Sequence, residues 1–169
     1  MVSKNLQTCP GCGVMLPAIG GSTHRYIGAS PGCWSAFGEI SEKEYGDFRY
    51  ARVHGLTVDT YCAQHPGEPS PQAVRSVAVH LVGLCLQMER DLRPDELYAV
   101  HKRISSLAKK REKSIHWLNP PTSLGETTIL YVLDASGPDE HAGRVREWAR
   151  SVWEAWSPHH ETVRRWAKL

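Results

Sequence analysis

The stretch Ser70–Arg90, SPQAVRSVAVHLVGLCLQMER, decides the fold class. Val74, Val77, Ala78, Leu81, Val82, Cys85 and Met88 recur at three- and four-residue spacing, the period of an α-helix with a broad apolar face. Ser70 followed by Pro71 is a preferred start: the hydroxyl accepts from a free amide, and proline has no N–H to lose. The segment reads as a helix from Gln72 to about Arg90. A face that wide needs cover on several sides, so this helix is expected at the centre of the molecule.

The same punctuation works outward from it. Ser30-Pro31 opens a helix from about Cys33 to Tyr45, with Trp34, Phe37 and Ile40 on one side. A short helix from Thr57 to Gln64 stops at His65-Pro66, because the residue before proline disfavours helix. Pro94 opens a fourth, with Asp95 and Glu96 at the positive end of its dipole and Leu97, Val100, Ile104 and Leu107 as its apolar face. Thr127–Leu133 is β-branched, but a lone strand has no partner here, so it reads as a short helix. Gly137 and Pro138 precede a long last helix carrying Val145, Trp148, Val152 and Trp156, which Ser157-Pro158 kinks or restarts. The expectation is a mainly α, bundle-like single domain over residues 1–169, with residues 1–35 an irregular, metal-organised segment packed on the helices.

A chain of 169 residues buries roughly 70% of its unfolded surface, so a core forms without staples. No apolar run approaches the ~20 residues that span a bilayer, and Met1–Gln7 carries no secretory signal. The chain therefore reads as cytoplasmic, with no membrane partner. Five cysteines, an odd count, point to metal ligation or burial rather than disulfides.

Cys9-Pro10-Gly11-Cys12-Gly13 is half of a metal site. Cys-x-x-Cys lets two thiolates reach one ion from a tight turn, and the glycine after it permits backbone amides to point at sulfur. A redox dithiol would follow a strand and open a helix in a βαβ unit, a context absent here. A structural zinc wants four ligands. Cys33 lies at a helix start, where partial positive charge favours thiolate. The fourth ligand is His65, with His24 as the alternative. Cys62, three residues before His65, reads as packing, and Cys85 as core.

These motifs, with His24-x-Tyr26, Gly32-Cys33-Trp34, Asp59-x-Tyr61-x-x-Gln64-His65-Pro66 and Ser76-Val77-Ala78-Val79-His80-Leu81, resemble an uncharacterised bacterial family classed only as a domain of unknown function. The likeness extends to His116-Trp117-Leu118 and Arg146-Glu147-Trp148-Ala149. Small apolar residues often stand at the position of Cys62 in that pattern, so the resemblance implies Cys33 and His65 as ligands. It implies no activity.

Asp59, His65 and His80 are polar residues set in apolar helical segments. Two histidines and a carboxylate can hold a catalytic metal, or a general base with its orienting partner, which gives the alternative of a metal-dependent, hydrolase-like enzyme. The competing reading is a core histidine and a helix-dipole aspartate, and no nucleophile or phosphate-loop motif is present. Six of the chain's Lys/Arg fall between Lys102 and Lys113. Lys102, Arg103, Lys109, Lys110 and Lys113 share one helical sector, a third candidate as a nucleic-acid face. The near-neutral whole favours a solvated outer face instead. Six tryptophans fill a core or line a groove, leaving a protein or a small molecule as the open partner classes. The sequence therefore reads as a zinc-binding helical protein whose single ion is structural, acting as a binding or regulatory module.

Overall fold

The computed structural model describes residues 5–90, 92, 94–110 and 114–168; Lys113 lies outside them, as does the side chain of Asp95. Mainly helical, it begins with a two-stranded antiparallel hairpin, β1 (Leu6–Thr8) and β2 (Met15–Pro17), paired Leu6 to Pro17 and Thr8 to Met15. The helices follow as α1 (Pro31–Gly46), α2 (Phe48–Ala51), α3 (His54–Gln64), α4 (Pro71–Glu89), α5 (Pro94–Lys109), α6 (Ile129–Leu133), α7 (Pro138–Ala155), a 3-10 turn (Ser157–His159) and α8 (His160–Trp166). No described helix is long and apolar enough to cross a membrane.

The start signals act through the expected hydrogen bonds. Ser30 Oγ accepts from the Cys33 amide at 3.2 Å and Ser70 Oγ from the Ala73 amide at 3.1 Å. Thr127–Leu133 does hold a short helix, and Ser157-Pro158 restarts the chain through the 3-10 turn into α8. Two features differ from the sequence reading. The N-terminal segment, irregular from Ala18 to Ser30 as expected, also carries a short hairpin, because the Cys9 amide bonds the Val14 carbonyl (2.8 Å) and so aligns the flanking residues as strands. A further helix, α2, follows α1, nucleated by Asp47, whose carboxylate accepts from the Arg49 amide at 2.9 Å.

Helix α4 sits centrally, packed by α3, α5, α7 and α8. Leu81, Val82 and Leu84 are fully buried on it, and one continuous cluster of buried side chains runs from Cys9 to Ala167. Trp148 and Trp156 belong to that core, and each indole N–H is satisfied. Trp148 donates to Gln64 Oε1 (2.9 Å) and Trp156 to the Ala63 carbonyl (3.0 Å). The Gln64 amide in turn donates to the carbonyls of Leu124 (3.1 Å) and Thr127 (2.9 Å). The last turn of α3 is thus clamped to α7 and to the connection before α6.

A second polar knot joins α1, α3 and α7. Glu44 is buried and accepts from His141 Nε2 (2.8 Å), His54 Nδ1 (2.8 Å) and Thr57 Oγ1 (2.6 Å). Burial alone would raise the Glu44 pKa, but the bonds from His141, His54 and Thr57 outweigh it and hold the carboxyl below its ordinary value. A carboxylate with a depressed folded-state pKa adds stability above its unfolded pKa and loses it as the pH falls through the folded value. Stability should therefore drop on acidification below the ordinary glutamate range. Glu44→Ala should lose about 3–5 kcal/mol at neutral pH, since it strands the buried His141 and Thr57. Urea unfolding of both proteins across pH 3–7 checks it, and parallel acid limbs would contradict it.

Candidate metal centre

The hairpin loop, the start of α1 and the end of α3 meet at one point. The ligand atoms of Cys9, Cys12, Cys33 and His65 all lie within 4.8 Å of one another, and Cys9, Cys33 and His65 are buried. Cys12 Sγ is 3.8 Å from Cys33 Sγ, and Cys33 Sγ is 3.4 Å from His65 Nε2.

Local chemistry sets each donor. The Gly13 amide bonds the Cys9 carbonyl at 2.9 Å, and Gly13 adopts φ +74°, which closes the Cys-x-x-Cys turn. Cys33 stands in the first turn of α1, fixed by the Ser30 cap. His65 caps the end of α3, where its Nδ1 lies 2.7 Å from the Tyr61 carbonyl. A carbonyl only accepts, so Nδ1 carries the proton and the lone pair of Nε2 faces the sulfurs, the tautomer a metal requires. The Tyr61 hydroxyl donates to Cys33 Sγ (3.6 Å), and its ring stacks on His65 (4.1 Å) and on Phe37 (4.1 Å).

The three thiols compete for charge. Hydrogen bonds from Cys12 and Cys33 hold Cys9 far below the ordinary cysteine range despite its burial. Hydrogen bonding with Cys12 and Cys9, and then burial, push Cys33 far above it. For Cys12 the bond with Cys33 lowers the pKa, but the bond with Cys9 and burial prevail, and it reaches about 11. Three sulfurs packed together support one negative charge readily and resist further ones; a divalent cation at their centre would remove that resistance. The donor set, three soft sulfurs and one imidazole nitrogen, fits a tetrahedral metal of the zinc type.

His24 is not part of this group. It is exposed, and its ring lies 4.2 Å from Tyr26 and 6.2 Å from Trp34. Cys85 is core, as read. Among Asp59, His65 and His80, the structure brings together only Asp59 and His80, with His80 Nδ1 2.8 Å from Asp59 Oδ1. His65 faces Cys33 instead, which removes it from the metal-dependent catalytic alternative. Asp59 is buried and also accepts from Gln87 Nε2 at 2.7 Å, while His101 Nε2 lies 3.4 Å from its other oxygen.

His101 and Glu44 were missed in the sequence, though both carried a signal. His101 falls four residues after Leu97 and Glu44 four after Ile40, so each occupies an apolar face at helical spacing. Lys102, Arg103 and Lys109 are exposed on α5, as is Lys110 just past its end.

The chain belongs to a family of unknown function, DUF5946, whose model matches residues 7–157 and so takes in all four residues of the cluster. No curated protein and no solved structure matches it.

The tightest constraint on the cluster is not a ligand. A Cβ on Gly11 would sit 2.4 Å from His65 Cδ2, 2.7 Å from the Gly28 carbonyl oxygen and 2.8 Å from that of Gln64. Gly11→Ala should therefore cost about 1–3 kcal/mol and push the His65 ring off the sulfurs although every donor remains. Chemical denaturation together with metal retention on dialysis measures both. Wild-type retention and stability would show that the approach is not tight.

Proposed function

We propose that this protein binds one zinc ion through Cys9, Cys12, Cys33 and His65, and that the ion is structural, in a helical module whose task is binding or regulation. The observation that carries the reading is the meeting of four donor atoms from three separate chain segments at one largely buried point. Four protein ligands fill a tetrahedral zinc, leaving no position for water or substrate, which separates a structural site from a catalytic one. The thiolate-rich set favours zinc over magnesium, calcium or manganese, which prefer oxygen. The imidazole tautomer set by the Tyr61 carbonyl and the Tyr61 hydroxyl on Cys33 supply the outer hydrogen bonds that orient such ligands.

Ligation energy at such a site is folding energy, because the unfolded chain has no preformed site. The ion would tie the hairpin to the start of α1 and the end of α3, and would hold a surface ready for a protein or small-molecule partner.

Protein purified without added metal should carry about one zinc per chain. Cys33→Ser and His65→Ala should lose it, while His24→Ala keeps it. Loss should lower the melting temperature by roughly 6–12 °C, the shift that about 3 kcal/mol produces in a domain of this size. Metal analysis beside a thermal melt reads both. A metal-free wild type with a melt indifferent to chelator would overturn the proposal.

A further inference from the structure

A second group of reactive side chains, distinct from the four metal donors, lies between α3 and α4 and owes nothing to the zinc reading. Asp59 and Cys62 stand three residues apart on that helix, hence on one face, and α4 lays His80 against them. His80 Nδ1 is 2.8 Å from Asp59 Oδ1. The carboxylate accepts, so Nδ1 donates to it and Nε2 is the nitrogen left for a second partner. Asp59 is held in turn by Gln87 at 2.7 Å, and its carboxylate fits against α4 only because residue 83 is glycine; a Cβ there would lie 2.2 Å from Asp59 Oδ2.

Cys62 is partly exposed, unlike Cys85 in the core. It shares with His80 the wall of a cavity of about 310 Å³ whose remaining lining includes Tyr26, Trp34, Phe37 and Tyr45. The sulfur also acts on the imidazole. Burial would lower the His80 pKa, but the Cys62 sulfur and the Asp59 carboxylate together raise it well above its ordinary value.

We propose that Cys62, His80 and Asp59 form a thiol nucleophile with its general base and a positioning carboxylate, acting on esters of small aromatic or other planar apolar acyl groups. The arrangement is the one nucleophilic catalysis needs: a thiol and a base on the wall of one cavity, and the base oriented by a third group through its Nδ1. The aromatic wall of Tyr26, Trp34, Phe37 and Tyr45 sets the substrate class, since it would stack a flat apolar acyl group. In the first step the Cys62 thiol proton passes to His80, giving a thiolate and an imidazolium, and Cys62 Sγ adds to the ester carbonyl carbon. The bond from that carbon to the leaving oxygen breaks, and His80 returns the proton to the departing alcohol or phenol. Water, deprotonated by the same imidazole, then cleaves the thioester, releasing the carboxylic acid and restoring the thiol.

The test uses the full chain and p-nitrophenyl benzoate, with release of p-nitrophenol followed optically and the benzoyl adduct located by peptide mass mapping. The adduct should form on Cys62 at least tenfold faster than on N-acetylcysteine at the same pH. It should vanish in Cys62→Ala, and His80→Gln should slow its formation at least tenfold with the melting temperature kept. Asp59→Asn should slow it less. Cys62 reacting no faster than N-acetylcysteine overturns the proposal whatever the variants do, as does an unchanged rate in a folded His80→Gln. Zinc content is read on the same samples, so failure here leaves the metal reading standing and the reverse also holds.

Discussion

The docking of the N-terminal hairpin onto α1 and α3 turns on the meeting of Cys9, Cys12, Cys33 and His65 at one point. Cys33 is 21 residues from Cys12 and 32 from His65 in the chain, so each contact closes a long loop. The hairpin's own strands are three residues each and mostly exposed, too little to hold it in place by burial. What docks it is the sulfur cluster, with β2 against the start of α1, where a Cβ on Gly32 would sit 3.1 Å from the Pro17 carbonyl oxygen. Loop-closure cost rises slowly with length, so one strong junction can organise all three segments.

The junction works because its far side is rigid. His65 sits at the end of α3, next to Gln64, whose amide spans the Leu124 and Thr127 carbonyls while its oxygen takes the Trp148 indole. Gln64, Leu124 and Trp148 are buried, so their polar groups would be costly to leave unpaired. The fully buried tryptophans are therefore part of how the imidazole is aimed, although they are remote from sulfur in the sequence. Glu44 plays the corresponding part between α1 and α7 through His54 and His141. Two polar knots, one at each end of α3, fix that helix against its neighbours. Asp59 lies on the stretch between them, with His80 of α4 bonded to it.

The helices were legible because their signals are local. Serine caps, prolines at first turns and apolar residues at three- and four-residue spacing act within a few residues, and α4 emerged within one residue of its expected ends. Cys9 and Cys12 were legible for the same reason, since the turn between them makes its own geometry. The choice between His24 and His65 was not, because it turns on where α3 ends in space, which is decided by Gln64 and the tryptophans of α7. His101 and Glu44 were overlooked because polar residues on an apolar helical face read as interruptions. Only the packed structure shows that each meets an opposite group from another helix. The α2 helix escaped because its start is a single aspartate directly after α1 with no apolar period of its own.

Zinc K-edge extended X-ray absorption of the full-length protein, purified without added metal, tests the central claim most directly. A closed tetrahedral centre predicts three sulfur scatterers at about 2.3 Å and one nitrogen at about 2.0–2.1 Å. A shell of oxygen and nitrogen, or one with only the two sulfurs of the Cys-x-x-Cys turn, would contradict it: Cys33 and His65 would then not be ligands, and the junction would have to be held by packing alone.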